Sequence, residues 1–178
     1  MEKPTEKPMV KKVVWGTVFI LAAAILQSTV FLRLVVYFRV IPDIALCILV
    51  YSAYVNGIMT GQITGFFSGL LLDFFSAAPL GLNALTRTII AAVIGFFKDT
   101  FILDIIFLPM ILCAGATILK ALLLWLLSLP FPGAVPAYAF YNLTFWIELG
   151  MNVVLAPIIF GLLRLFRPLR PKQKENTI

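Results

Sequence analysis

The chain has 178 residues, of which 62% are hydrophobic and only 12% charged, against roughly 45–50% and about 25% in a soluble globular domain. The length suits a single domain, and a water-soluble fold of that size would have too few polar residues to cover its exterior. A soluble enzyme, a disordered tail and a nucleic-acid-binding domain are excluded; a membrane protein with a net charge of +6 remains.

Residues 1–12 form a basic N-terminal segment carrying Lys3, Lys7, Lys11 and Lys12. The first expected span, 13–32, is uncharged and meets the about 20 residues needed to cross a bilayer as a helix. A cleaved secretory signal is the competing reading, because Lys11 and Lys12 precede the run and Ala22, Ala23 and Ala24 resemble a cleavage site. The apolar run is longer than the about 7–15 residues of a signal core, which favours a retained span. The second span, 40–55, is opened by Pro42-Asp43 and closed by Asn56-Gly57. The third, 58–77, is followed by the turn signal Pro79-Leu80-Gly81. The fourth, 82–97, stops at Lys98-Asp99, and the fifth, 105–129, runs into a loop marked by Pro130, Pro132 and Pro136. The sixth, 141–163, precedes a basic tail, 164–178, with Arg164, Arg167, Arg170, Lys172 and Lys174.

The expected fold is therefore all-α: a compact bundle of six transmembrane helices over 13–163 with both termini on one side. Cytoplasmic termini place the nine terminal basic residues and Lys98 inside and leave only Arg33 and Arg39 in outer loops, as the positive-inside rule requires. The basic ends also suit an anionic cytoplasmic leaflet. Cys47 and Cys113 lie in apolar runs and suggest no disulfide framework.

The third span carries the clearest pattern. Gly57, Gly61, Gly65 and Gly69 recur every four residues, and Asp73 takes the next place in the row. At about 100° per residue each step drifts about 40°, so the row winds slowly round the helix. Such a row suits a close right-handed crossing of about −40°, where two backbones touch. Two readings stay open: the glycines pack the third span against another span of the same bundle, or part of the row receives a helix from another protein.

Charge near the bilayer centre costs roughly 2.5–3.5 kcal/mol on insertion scales and asks for a partner or a cavity. Asp43, Asp73, Arg87, Lys120 and Glu148 fall inside or at the rims of the expected spans, and Asn83 and Asn152 add polar groups nearby. Folding the chain at its turns sets Asp73 level with Arg87 and Lys120 level with Glu148, so two ion pairs are expected. On this basis, adding Arg87→Asp to Asp73→Arg should partly restore assembly. All seven residues fall in the outer half of the membrane and form a polar centre above a more apolar inner half. That centre is either a pair of structural ion pairs, a cavity for a partner segment or small ligand, or a proton relay.

Catalysis fares poorly. With no histidine in the chain, no Ser/His/Asp, Cys/His or metal-ligand set can be assembled. Intramembrane aspartyl chemistry needs two carboxylates sharing a site, and Arg87 beside Asp43 or Asp73 would hold either ionised. The glycines lack the Lys-Ser/Thr ending of a phosphate loop. No catalytic, metal or cofactor-binding residue is expected.

Pro42-Asp43, then Gly61-x3-Gly65-Phe66-x2-Gly69-Leu70-Leu71-x-Asp73, then Pro79-x-Gly81-x-Asn83-Ala84-Leu85 resemble the rod-shape-determining MreD family over the first four spans. The fifth and sixth spans carry no matching motif. The resemblance implies a multi-pass protein of the bacterial inner membrane that acts as a non-enzymatic scaffold of the cell-elongation machinery. It implies as partners the bitopic protein MreC, the glycosyltransferase RodA, a class B penicillin-binding protein and the filament protein MreB. It further implies a fold similar to the substrate-capture subunits of energy-coupling-factor vitamin transporters.

Two functions follow. In the first, a groove bordered by Gly57 to Gly69 takes the membrane helix of MreC, and leucine at Gly65 or Gly69 abolishes that contact while the bundle still inserts. In the second, the chain is a small-molecule-binding subunit of a vitamin-type transporter whose pocket is lined by the outer charges. Only the loop 131–140 could then serve as a lid, and Tyr138, Tyr141 and Trp146 fit an interfacial aromatic belt at least as well as a ligand cage.

Overall fold

A computed structural model describes residues 6–30, 40, 42–76, 79–98, 106–131, 133, 135 and 142–166. Lys3, Arg33, Arg39, Tyr138, Tyr141 and the tail residues beyond Phe166 lie outside them. The described elements are six helices: α1 Glu6–Val30, α2 Ile44–Asn56, α3 Ile58–Phe75, α4 Leu82–Phe96, α5 Phe107–Ser128 and α6 Leu143–Leu165. The expected all-helical architecture is the one observed.

Four of these helices, α1, α3, α5 and α6, are long and apolar enough to cross a membrane. The other two are short: α4 ends within one residue of the expected 97, and α2 starts four residues after the expected 40. With 13 and 15 residues, α2 and α4 are about 20 and 22 Å long, against a hydrocarbon core of about 30 Å. For α2 the reason is its position. Every residue from Ala45 to Ala53 is buried, and the helix packs against all five others. A helix apolar on all sides belongs at the centre of a bundle. Walled off from lipid, it can end in irregular backbone at membrane depth, because that backbone is satisfied by protein. Pro42 and Asp43, both buried and non-helical, are that segment.

Around α2 the chain is arranged in pairs. The α2–α3 junction is a single residue, Gly57, at φ +88°, a conformation that favours glycine. The closest pairing is α3 with α4, joined by a short turn in which Gly81 takes the left-handed conformation at φ +94°. On the other side α5 packs on α6, and α1 lies against α2 and α3 with Gly16, Ile20 and Ala23 buried. Outward faces carry large apolar side chains such as Phe66, Phe74, Ile111, Trp125, Trp146 and Ile158, the composition of a lipid-facing surface.

Candidate functional site

The structure seats α4 on the glycine row. A side-chain carbon on Gly61 would stand 3.0 Å from Ala53 Cα and 3.2 Å from the Ala91 carbonyl oxygen; on Gly65, 2.7 Å from the Arg87 carbonyl oxygen; on Gly69, 2.5 Å from that of Asn83. As α3 ascends from 61 to 69, its neighbour on α4 descends from 91 to 83, an antiparallel seam in constant register. Gly95 answers from α4, lying against Ile58 backbone. Gly57 faces the Lys98 side chain at the far end of the row. The expectation that this row takes a helix from another protein is corrected: the face is filled from within the chain, so Gly61, Gly65 and Gly69 have no room for a partner.

The seam also decides the fate of Asp73. Its carboxylate accepts from the backbone N–H groups of Gly81 (2.9 Å), Asn83 (3.0 Å) and Ala84 (3.2 Å) and from Asn83 Nδ2 (2.9 Å). It thus caps α4, whose first N–H groups have no intrahelical partner and whose positive dipole end favours a carboxylate. The expected Asp73–Arg87 ion pair is not formed. Arg87 sits five residues beyond Leu82, about 7.5 Å farther along the axis, and its Nη2 reaches Asp43 instead at 3.3 Å. The charge reversal reasoned from the sequence should accordingly fail. Asp73→Arg is expected to lose the α4 cap, and adding Arg87→Asp to lower the thermal midpoint in detergent further, since that carboxylate would face Asp43. A double variant more stable than Asp73→Arg alone would restore the direct pair.

Asp43 is the hub of the remaining charges. It precedes α2, and its Oδ1 accepts from Leu46 N–H at 2.9 Å, an N-cap that starts the helix. Arg87 of α4 approaches the same oxygen, and Lys120 of α5 donates to Oδ2 at 2.7 Å. Lys120 also donates to Glu148 Oε1 on α6 at 2.9 Å, the second expected pair, which is formed. The Asp43 N–H donates to Asn152 Oδ1 at 2.8 Å, and Asn152 Nδ2 donates to Thr117 Oγ1 at 3.1 Å. Ile44 N–H donates to Gln27 Oε1 of α1 at 3.1 Å. One short segment, 42–44, is thereby tied to α1, α4, α5 and α6.

Of the seven polar residues picked out by sequence, Asp43, Arg87, Lys120, Glu148 and Asn152 converge here, while Asp73 and Asn83 form a separate unit at the α3–α4 turn. Gln27 and Thr117 belong to the network as well. Thr117 was legible as the residue one turn before Lys120 on the same face; Gln27 had only its amide, near the end of an apolar run, to mark it. Beside the network lies a cavity of about 620 Å³ bordered by Asp43, Arg87, Lys120 and Glu148 on one side and by Leu21, Leu72 and Phe75 on the other. Opposite charges in equal number, each held by a partner from another helix, can orient a ligand or lock the bundle.

No curated protein and no solved structure matches the chain. The family model described as rod shape-determining protein MreD matches residues 9–166 of the 178, the stretch that holds α1 from Met9 onward, the other five helices whole, the α3–α4 seam and the charge network. This membrane protein belongs to the MreD family.

Proposed function

We propose that the chain is a non-enzymatic scaffold of rod-shape determination, placed in the bacterial inner membrane and supporting lateral peptidoglycan synthesis by binding MreC. RodA, a class B penicillin-binding protein and MreB belong to the same assembly in this reading. Six helices thread the bilayer with both termini cytoplasmic, the basic ends 1–12 and 164–178 flanking the domain 13–163, and Asp43 and its partners lie toward the periplasm. A capture-subunit-like fold accords with six helices and a polar pocket at that end.

Family membership supports a role in cell shape, and one observation carries the docking part. Two glycines of α6, Gly150 and Gly161, are exposed, with open space where a side chain would stand. Eleven residues apart, they share one helix face within about 20° and lie about 16 Å apart along the axis. Glycine in a helix interior costs about 1 kcal/mol relative to alanine, so two on an outward face point to close packing against something outside the chain. Association of helices in lipid relies on such backbone approach, because lipid tails supply little hydrophobic drive. In the scaffold reading the membrane helix of MreC lies across this face.

Leucine at both Gly150 and Gly161 is expected to leave insertion and the thermal midpoint unchanged while reducing co-purification of MreC at least tenfold. Undiminished recovery of MreC with the double variant would remove α6 as the docking face.

A further inference from the structure

Every helix of the bundle contributes a wall to the cavity beside the charge network: Gln27 from α1, Ala45 from α2, Leu72 from α3, Arg87 from α4, Lys120 from α5 and Glu148 from α6 border it. Its volume, about 620 Å³, falls within the about 300–1,000 Å³ usual for small-molecule pockets, which are mainly apolar with a few placed polar groups. A partner helix is about 10–12 Å across and uses its backbone donors and acceptors internally, so it suits an outer face better than a space inside the ring.

Two polar groups on the cavity wall are unengaged. Glu148 is 6% exposed. Its Oε1 takes Lys120, whereas Oε2 keeps accessible surface on the cavity and receives no hydrogen bond among the described residues. An ionised carboxylate only accepts, and leaving such an oxygen unmet in a largely desolvated place is unfavourable, so an occupant that brings a donor is favoured. Gln27 is half-buried, and its Oε1 is committed to Ile44 N–H. That bond fixes the orientation of the amide and leaves the two N–H groups of Nε2 without an acceptor among the described residues.

Charge on the wall is already balanced. Asp43 and Glu148 are matched by Arg87 and Lys120, so an added cation or anion would leave a net charge where a membrane protein tolerates it least. Both cations are engaged by carboxylates, Arg87 by Asp43 and Lys120 by Asp43 and Glu148. A zwitterion's anionic end would therefore find only an amide.

We propose that the cavity binds an uncharged small molecule of the carboxamide class: its N–H donates to Glu148 Oε2, its oxygen accepts from Gln27 Nε2 and its apolar body lies against Leu21, Leu72 and Phe75. The site is inside the ring of helices, whereas Gly150 and Gly161 face outward, so it does not depend on the α6 docking face.

The test uses the full chain, purified in detergent, and four probes with one naphthalene body: naphthamide, methyl naphthoate, naphthoate and naphthylmethylammonium. Thermal midpoint and equilibrium dialysis are the readouts. Naphthamide should raise the midpoint, and the other three, which lack the donor or carry a charge, should bind at least tenfold more weakly. Glu148→Gln turns the free acceptor into a donor and should weaken naphthamide binding at least tenfold. Leu72→Trp fills the cavity without altering a polar group and should do the same, which decides the matter if Glu148→Gln does not fold. Tighter binding of the ammonium or of naphthoate would make this an ion site and overturn the uncharged ligand. Equal binding of methyl naphthoate, undiminished binding by Leu72→Trp, or no binding of any probe would likewise overturn the proposal.

Discussion

Replacing Gly69 with leucine is expected to disrupt the bundle itself, not merely a contact with a partner. A side-chain carbon at this position meets backbone on two residues, Asn83 O at 2.5 Å and Ala84 Cα at 2.6 Å. Backbone cannot rotate away as a side chain does, so α3 and α4 must separate. Overpacking a well-filled core costs about 1–3 kcal/mol, and the upper end applies here, because separating the helices also pulls Asp73 away from the α4 N–H groups it caps. The expected result is a thermal midpoint in detergent lowered by several degrees or more, with aggregation on size-exclusion chromatography. Gly150→Leu, where a side chain meets open space, is the internal control and should behave as wild type. Wild-type stability of Gly69→Leu would show that the α3–α4 seam is looser than described.

The second large effect is expected at Asp43. Removing one partner of a buried ion pair costs about 3–5 kcal/mol, because the other charge is left uncompensated. In Asp43→Ala, Arg87 loses its one ion partner among the described residues, and Lys120 loses one of the two carboxylates it bridges. The N-cap of α2 goes as well, worth about 1 kcal/mol, and α2 is the helix every other one packs against. Asp43→Asn separates the two contributions. An amide oxygen can still cap Leu46 N–H but carries no charge, so this variant should fall between wild type and Asp43→Ala. The measurement is thermal unfolding of the purified chain with wild type and both variants side by side. Equal midpoints for Asp43→Ala and Asp43→Asn would mean that the charge, and not the cap, is what the bundle needs; a wild-type midpoint for Asp43→Asn would mean the reverse.

Much of this site was readable from the chain because lipid makes polarity conspicuous. Against an apolar background, Asp43, Arg87, Lys120, Glu148 and Asn152 had to be satisfied by one another, and the loop between the fifth and sixth spans set Lys120 level with Glu148. The same folding argument failed for Asp73 and Arg87. Equal distance from a turn fixes depth but ignores the turn's own backbone, and the free N–H groups of a helix start compete for a carboxylate as strongly as an arginine does. Likewise, the spacing of Gly61, Gly65 and Gly69 announced a close backbone approach without saying whose backbone. The reciprocal glycine, Gly95, stood in the sequence without a row to draw notice.

The amino-acid sequence by itself determined that the chain is a helical membrane protein, where five of its six helices begin and end to within about four residues (α1 starts at Glu6, not at 13), and which side chains must find polar partners. These follow from hydropathy and from the cost of charge in lipid, which act residue by residue. Tertiary structure alone decided that α2 is the buried axis, that α4 and not another protein fills the glycine row, and that Asp43 gathers the charges of α4 and α5, with Glu148 of α6 held through Lys120. Those outcomes depend on which helices are neighbours and how they are rotated about their axes, and that is set by packing the six together rather than by any segment taken alone.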